Sequence, residues 1–248
     1  FPKEFFEKSA FNGQIDTIIH AGAFTPKNGS AANDIEQCNT NIFSLEKLLQ
    51  SNIPGLKRII YLSTLDVYGA DNVLSESSPL LPVSLYGHSK LYGEKMIETW
   101  AGNNGIKHQI LRIGHVYGPG EEQYQKIIPV TMGKLLHKQP IEIWGDGSEL
   151  RAFIYIDDVV RAIIKSIEIT DEPGPVNIVS GNTISLIDLV KLIIEISGGK
   201  AAINYLDRKG DPRDLTFNTD LVRKHLLLEE TKLSDGLRAE WEHMKGLD

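Results

Sequence analysis

Short apolar runs alternate with longer amphipathic stretches through the first half of the chain, and this alternation most restricts the fold. Asp16-Thr-Ile-Ile-His20 is a buried-strand run, and 34–51 has helical spacing with Ile35, Ile42, Leu45, Leu48 and Leu49 on one side. Arg58-Ile-Ile-Tyr-Leu-Ser63 is the next strand, a helix follows from Ser84 to about Asn103, and Lys107–Ile113 is a strand again. Strand, helix and strand in turn predict a parallel sheet with helices on its faces. Ligands of such sheets gather beyond the carboxyl ends of the strands. His20, Ser63-Thr64 and Ile113 to His115 stand at those ends.

After Gly118-Pro-Gly120 the pattern changes. A helical stretch is expected over about 124–138, and short strands over 141–144 and 152–156. Asp157-Asp158 is placed as the cap of a helix to about Glu168. Val176–Val179 and Ala201–Leu206 read as strands, and Ser185–Ser197 as a helix. Residues 1–14 resemble a helix end and a turn, and 69–83 a Pro- and Ser-rich loop.

Composition narrows the classes. The net charge of -7 comes without any Lys/Arg block, so nucleic-acid binding has no electrostatic footprint. Cys38 is the only cysteine, which rules out an internal disulfide and fits a reducing compartment. No apolar run approaches the roughly 18 residues of a membrane span, and no signal peptide is read. The His residues lack metal-ligand spacing, and no Gly-x-Ser-x-Gly elbow occurs.

One constellation carries chemistry. In Tyr86-Gly-His-Ser-Lys90 a phenol and an ammonium share one face at the start of a helix. A nearby cation favours the phenolate, so Lys90 is expected to lower the Tyr86 pKa and make it a base for a hydroxyl proton. One such spacing also arises by chance, so its neighbours decide.

Those neighbours resemble the extended short-chain dehydrogenase/reductase superfamily, the NAD-dependent nucleotide-sugar epimerases and dehydratases. The pieces are Asp16-Thr-Ile-Ile-His-Ala-Gly-Ala23, Ser63-Thr-Leu-Asp-Val-Tyr-Gly69, Tyr86-Gly-His-Ser-Lys90 and Leu111-Arg-Ile-Gly-His-Val-Tyr-Gly-Pro119. Gly145-Asp-Gly-Ser, Arg151-Ala-Phe-Ile-Tyr-Ile-Asp-Asp158 and Arg208-Lys-Gly-Asp211 follow in the family's order. Each is weak alone; together they span nearly the whole chain.

The resemblance implies an α/β fold: a Rossmann-like, doubly wound parallel sheet, incomplete at its N-terminal side, with a smaller α/β substrate-binding part. The sheet domain is expected over 1–118 and 157–180, and the nucleotide-sugar part over 119–156 and 181–248. The implied cofactor is NAD. Tyr86 would be the base, Lys90 would hold it ionised and bond the nicotinamide ribose, and Thr64 would bond the reacting sugar oxygen. Ala21, Gly22, Ala23, Ser63, Ile113 and Gly114 would line the cofactor, with Asn41 near it. For Thr64 the catalytic role is preferred over a strand-end cap, and Asn41 could equally serve helix packing. Motifs closest to UDP-glucose 4-epimerase imply that Arg151 and Arg208 bond the diphosphate, Asp211 the ribose and Trp144 the base. Two guanidinium groups suit a diphosphate because each binds it as a fork.

The sequence departs from the family in three places. The Gly-x-x-Gly-x-x-Gly turn that cradles the pyrophosphate is missing; Gly102-Asn-Asn-Gly105 reads as a helix exit and Gly145-Asp-Gly147 as a turn. The expectation is that this unit exists outside the sequence; the alternative is a chain that lacks it. Leu65-Asp66 replaces the Asp-Glu of 4,6-dehydratases, and Leu65 cannot donate a proton, so dehydration is disfavoured. His115 and Lys126 stand where relatives have Asn, and could meet an acidic sugar or the diphosphate, or simply be packed or solvated.

The expected function is NAD-dependent C4 epimerisation of a UDP-hexose. UDP-uronate decarboxylation or 4-keto-sugar reduction are the enzymatic alternatives, and a non-catalytic nucleotide-sugar-binding remnant is the alternative of another class. A cytoplasmic homodimer is expected, paired through Leu45, Leu49, Met96, Ile97 and Trp100 on two neighbouring helices.

Overall fold

The computed structural model describes residues 15–69, 73–171, 173–207 and 214–247. The helix end read over 1–14, and Arg208 and Asp211, lie outside these residues.

The main sheet is parallel and four-stranded. It holds β1 (Thr17–His20), β2 (Arg58–Thr64), β4 (Lys107–Ile113) and β8 (Val176–Ile178), in that spatial order. Period-two alternation sorts the side chains of β2 between the two faces. Ile59 and Tyr61 pack with Leu45 and Ile97, from α1 (Ile35–Leu49) and α2 (Leu85–Asn104). Ile60 packs on the other face with Val159 and Ala162 of α4 (Ile156–Glu168). Both faces are covered, so the strands read as nearly unbroken apolar runs.

Local chemistry fixes the two helices beside the site. The Asp34 carboxylate caps α1 by accepting from the Gln37 amide at 3.0 Å. Ser84 caps α2 by accepting from Gly87 at 3.1 Å, and Gly105 ends α2 at φ 65°. Two glycines let α2 lie close to the sheet: a Cβ at Gly87 would strike the Asp66 carbonyl, and one at Gly93 the Tyr61 hydroxyl.

A second assembly forms beyond β4. β5 (His115–Tyr117) pairs in parallel with β7 (Leu150–Tyr155), which pairs antiparallel with β9 (Thr183–Ser185). β6 (Ile141–Trp144) pairs with β10 (Ile203–Leu206), and β3 (Val73–Leu74) with β11 (Thr216–Phe217). A core including Met132, Ile193, Leu237 and Trp241 joins α3 (Ile127–Leu136), α5 (Leu186–Ser197) and α7 (Leu233–Lys245). The short helix α6 (Asp220–His225) packs on β8.

Two expectations change. Asp157-Asp158 does not cap α4: β7 runs straight into the helix, with Tyr155 at the cap position and no side-chain cap bond. The buried Asp158 carboxylate instead accepts from the Thr231 amide and hydroxyl at 2.8 and 2.7 Å, and pairs with Arg161 at 2.6 Å. Leu45 and Ile97 are fully buried against β2, so they cannot belong to a dimer surface. Met96, Trp100 and Leu49 stay partly exposed along a shallow groove with Tyr92 and Lys95, and Phe43 and Tyr92 stand out from these helices.

Candidate active site

A cleft of about 590 Å³ opens beyond the carboxyl ends of β1, β2 and β4. Its sheet side is built from Ala21 and Ala23, Ser63 and Thr64, and Ile113 and Gly114. Gly22 lies between the two alanines, and a Cβ added to it would meet no heavy atom within 4 Å, so that loop is open on its outer side. Gly114 is needed for fit: a Cβ there would sit 3.0 Å from Val179 Cγ1 and 3.1 Å from the Ile178 carbonyl.

The first turn of α2 delivers Tyr86 and Lys90 into this cleft. Both are buried, Tyr86 at 7% and Lys90 at 2% exposure. Thr64 and Thr25 line the cleft with Tyr86, and their hydroxyls favour its ionised form. Thr25 belongs to the loop after β1, and no motif in the sequence singles it out. The Lys90 ammonium donates to the Leu62 carbonyl at 2.6 Å and lies 4.3 Å over the Tyr61 ring. An ammonium has three donors. With one spent on Leu62, Lys90 can still bond a ligand's hydroxyls in the cleft it lines.

The electrostatics correct one expectation. Burial pushes the Tyr86 phenol up to about 12, the Asp66 carboxylate adds to the rise, and the Thr25 and Thr64 hydroxyls oppose it. Lys90 does not offset this, because its ammonium is turned to Leu62 and Tyr61. Burial lowers Lys90 itself to about 8, against the favourable charge of Glu94. Asp66 also organises its own turn, its amide donating to Thr64 Oγ1 at 3.3 Å. Leu65 lines the cleft beside Thr64 and brings no acid there.

Asn41 has a bridging role. Its Oδ1 accepts from the Phe24 amide at 2.7 Å, and its Nδ2 donates to the Phe24 carbonyl and to Ser89 Oγ, each at 3.3 Å. The residue thereby ties the loop after β1 to α2.

At the other end, His115, Lys126 and Arg151 line a contiguous cavity of about 250 Å³ with Phe153 and Leu186. His115 is not a cation: burial, with Arg151 and Lys126 nearby, lowers it to about 4. Its Nδ1 is buried without a partner. The Lys126 ammonium donates to the Val116 carbonyl and pairs with Glu121, both at 3.1 Å. Trp144 ends β6, half exposed, and lines neither cavity.

The sequence profile of the NAD dependent epimerase/dehydratase family matches residues 4–179. A Bacillus subtilis protein, an uncharacterised UDP-glucose epimerase by name, is 31% identical over 242 residues, which cover 94% of this chain and 75% of that protein. The crystal structure of the Thermotoga maritima UDP-glucose 4-epimerase with UDP-glucose superposes with a TM-score of 0.85 at 27% identity, over 100% of this chain and 83% of that one. The Bacillus cereus UDP-glucuronic acid 4-epimerase with NAD gives 0.83 at 28% identity, over 99% and 76%.

Proposed function

The chain belongs to the NAD-dependent epimerase/dehydratase family, and from that premise we propose that it epimerises a UDP-hexose at C4. One observation carries the proposal: Tyr86, Thr64 and Lys90 line one cleft at the strand ends, with Lys90 one helical turn from Tyr86. Tyr86 takes the C4 hydroxyl proton once its phenol has been brought down from about 12 by the positive charge of a bound nicotinamide, and Thr64 holds the same oxygen in line. The small residues Ala21, Gly22, Ala23 and Gly114, with Ile113 and Ser63, line the nicotinamide side, and Lys90 bonds the ribose. NAD, when bound, supplies the hydride acceptor and donor. Tyr86 returns its proton after the 4-keto sugar has presented its other face.

The far end takes the nucleotide. Arg151 and Arg208 are assigned to the diphosphate, which Lys126 also suits as a cation, with Asp211 assigned to the ribose and Trp144 to the base. The neutral His115 gives an uncharged hydrogen-bonding atom there. We also assign the chain to the cytoplasm, as a homodimer paired over the partly exposed Met96, Trp100 and Tyr92 of α2.

The test is turnover with UDP-glucose and catalytic NAD. The expected result is UDP-galactose with no net change in absorbance of the reduced cofactor. Carbon dioxide released from UDP-glucuronate, or reduced cofactor consumed in step with product, would replace epimerisation with the decarboxylase or the reductase. Tight UDP-sugar binding without any turnover would leave a binding protein.

A further inference from the structure

Behind the Tyr86–Lys90 pair runs a chain of buried polar groups that, Ser63 apart, the proposed reaction does not use. Glu94 is one helical turn beyond Lys90 on α2 and is wholly inaccessible to solvent. Its Oε1 accepts from Ser63 Oγ at 2.5 Å and from Arg112 Nε at 3.0 Å, and its Oε2 from Arg112 Nη2 at 2.7 Å. The fork is bidentate, the strongest geometry such a pair adopts. Arg112 Nη1 continues to the Tyr68 hydroxyl at 2.7 Å, and that hydroxyl donates to Asn177 Oδ1 at 2.8 Å.

Glu94 comes from α2 and Tyr68 from the turn after β2, and the other three come from neighbouring strands in register. Ser63 on β2 lies opposite Arg112 on β4, and Arg112 lies opposite Asn177 on β8. Thr64 is the residue after Ser63. A buried ion pair is weak evidence for stability, because desolvation offsets the attraction. This pair does something more specific. It pins the helix that carries the phenol and ammonium to β4, while the Ser63–Glu94 hydrogen bond pins the same helix to β2, the strand that carries the threonine.

We propose that Glu94 is a positioning residue for this site: its carboxylate fixes α2 against Ser63 and Arg112, and supplies the counter-charge to the buried Lys90 ammonium. The catalytic part of the inference rests on the reading of Tyr86 and Lys90 given above. Glu94 is a source of favourable charge for Lys90. The other groups facing Lys90 are His20 from β1, neutral at about 4, the Tyr61 ring from β2, and Tyr86 on its own helix. Around Glu94 stand Ser63 and Tyr61 from β2 and Arg112 from β4.

Glu94→Gln alone strands the Arg112 guanidinium in the core, and such a variant can fail to fold. The test therefore uses Glu94→Leu with Arg112→Met in one chain, which removes both charges together. Lys90 is followed by NMR with ¹³C at the lysine ε position, its signal assigned with Lys90→Arg. The expected result is a Lys90 titration moved down, because of the two charges removed Glu94 is the one that acts on Lys90. The alkaline limb of kcat moves down with it, and kcat falls roughly 10–100-fold with KM little changed. A double variant of native Tm whose Lys90 titrates at the wild-type position would overturn the inference. Ser63→Ala is the second variant, removing one hydrogen bond and no charge. It should leave the Lys90 titration in place and lower kcat severalfold, and an unchanged kcat would overturn the positioning role. A shifted Lys90 titration in a protein without epimerase activity would instead remove the proposed reaction and keep the role of Glu94 toward Lys90.

Discussion

Two buried glutamates flank the same cleft on opposite terms. Glu94, in the sheet half, meets a bidentate guanidinium and a serine hydroxyl. Glu240, on α7 in the other half, is as deeply buried but meets another carboxyl, Glu121, and no cation of its own. Burial and the Glu121 charge raise Glu240 to about 9, and burial raises Glu121 as well, against the pull of Lys126. Burial alone therefore does not decide whether a carboxyl is a charge; the partner does. At Glu94 the partner makes a fixed charge that can organise a site. At Glu240 the partner makes a carboxyl that keeps its proton at neutral pH.

The largest effect expected is on chemistry at the sheet end. Tyr86→Phe removes the base and keeps the ring, and should lower kcat by roughly 10²–10⁴-fold. Its Tm should change little, since the ring stays packed and only the contact of the phenol oxygen with the Thr25 and Thr64 hydroxyls is lost, about 1 kcal/mol or less. Steady-state kinetics with thermal unfolding separates the two. Next in size is Glu94→Gln, which leaves Arg112 without a counter-charge and should cost about 3–5 kcal/mol in denaturant unfolding. A loss below about 1 kcal/mol would mean that Arg112 is not as dry as the fold makes it.

The third variant sharpens the contrast through pH. Glu240 keeps its proton in the fold up to about 9, whereas an unfolded glutamate releases it near ~4.3. The folded pKa is the higher one. The stability this carboxyl contributes is therefore complete below the unfolded value and is lost as pH rises through about 9. Glu240→Gln, which carries no proton to lose, should gain Tm relative to wild type at pH 9 and stay close to it at pH 4. Equal differences at both values would show that Glu240 is ionised in the fold. The smallest effect is at Lys126, whose pair with Glu121 is partly solvated. Lys126→Met should alter stability by less than about 1 kcal/mol. It should raise KM for the UDP-sugar without lowering kcat.

The contrast also marks what the sequence let be read. The strand–helix alternation through Ile113 needs only periodicity, and each of its main strands and helices is present within a residue or two. Beyond it, the strands Val73–Leu74, His115–Tyr117, Thr183–Ser185 and Thr216–Phe217 escaped because two or three residues leave no period to read. Leu237, Trp241 and Met244 do have helical spacing, so α7 was legible and went unread. At the site, Tyr86, Lys90 and Thr64 came through motifs, and the fold brings them to one cleft. Thr25, Glu94 and Arg112 did not, because their roles depend on which strands lie side by side. The charge state of Tyr86 was misjudged for a related reason. Spacing says which groups are neighbours, but desolvation depends on everything packed around them.

The central claim, that Tyr86 serves an epimerisation in which hydride leaves and returns to one carbon, is tested most directly with UDP-glucose carrying deuterium at C4. The account predicts UDP-galactose that retains the deuterium at C4, formed with catalytic NAD and abolished by Tyr86→Phe. Product that has lost the label to solvent or to bulk cofactor, or product formed unchanged by the Tyr86→Phe enzyme, would contradict it.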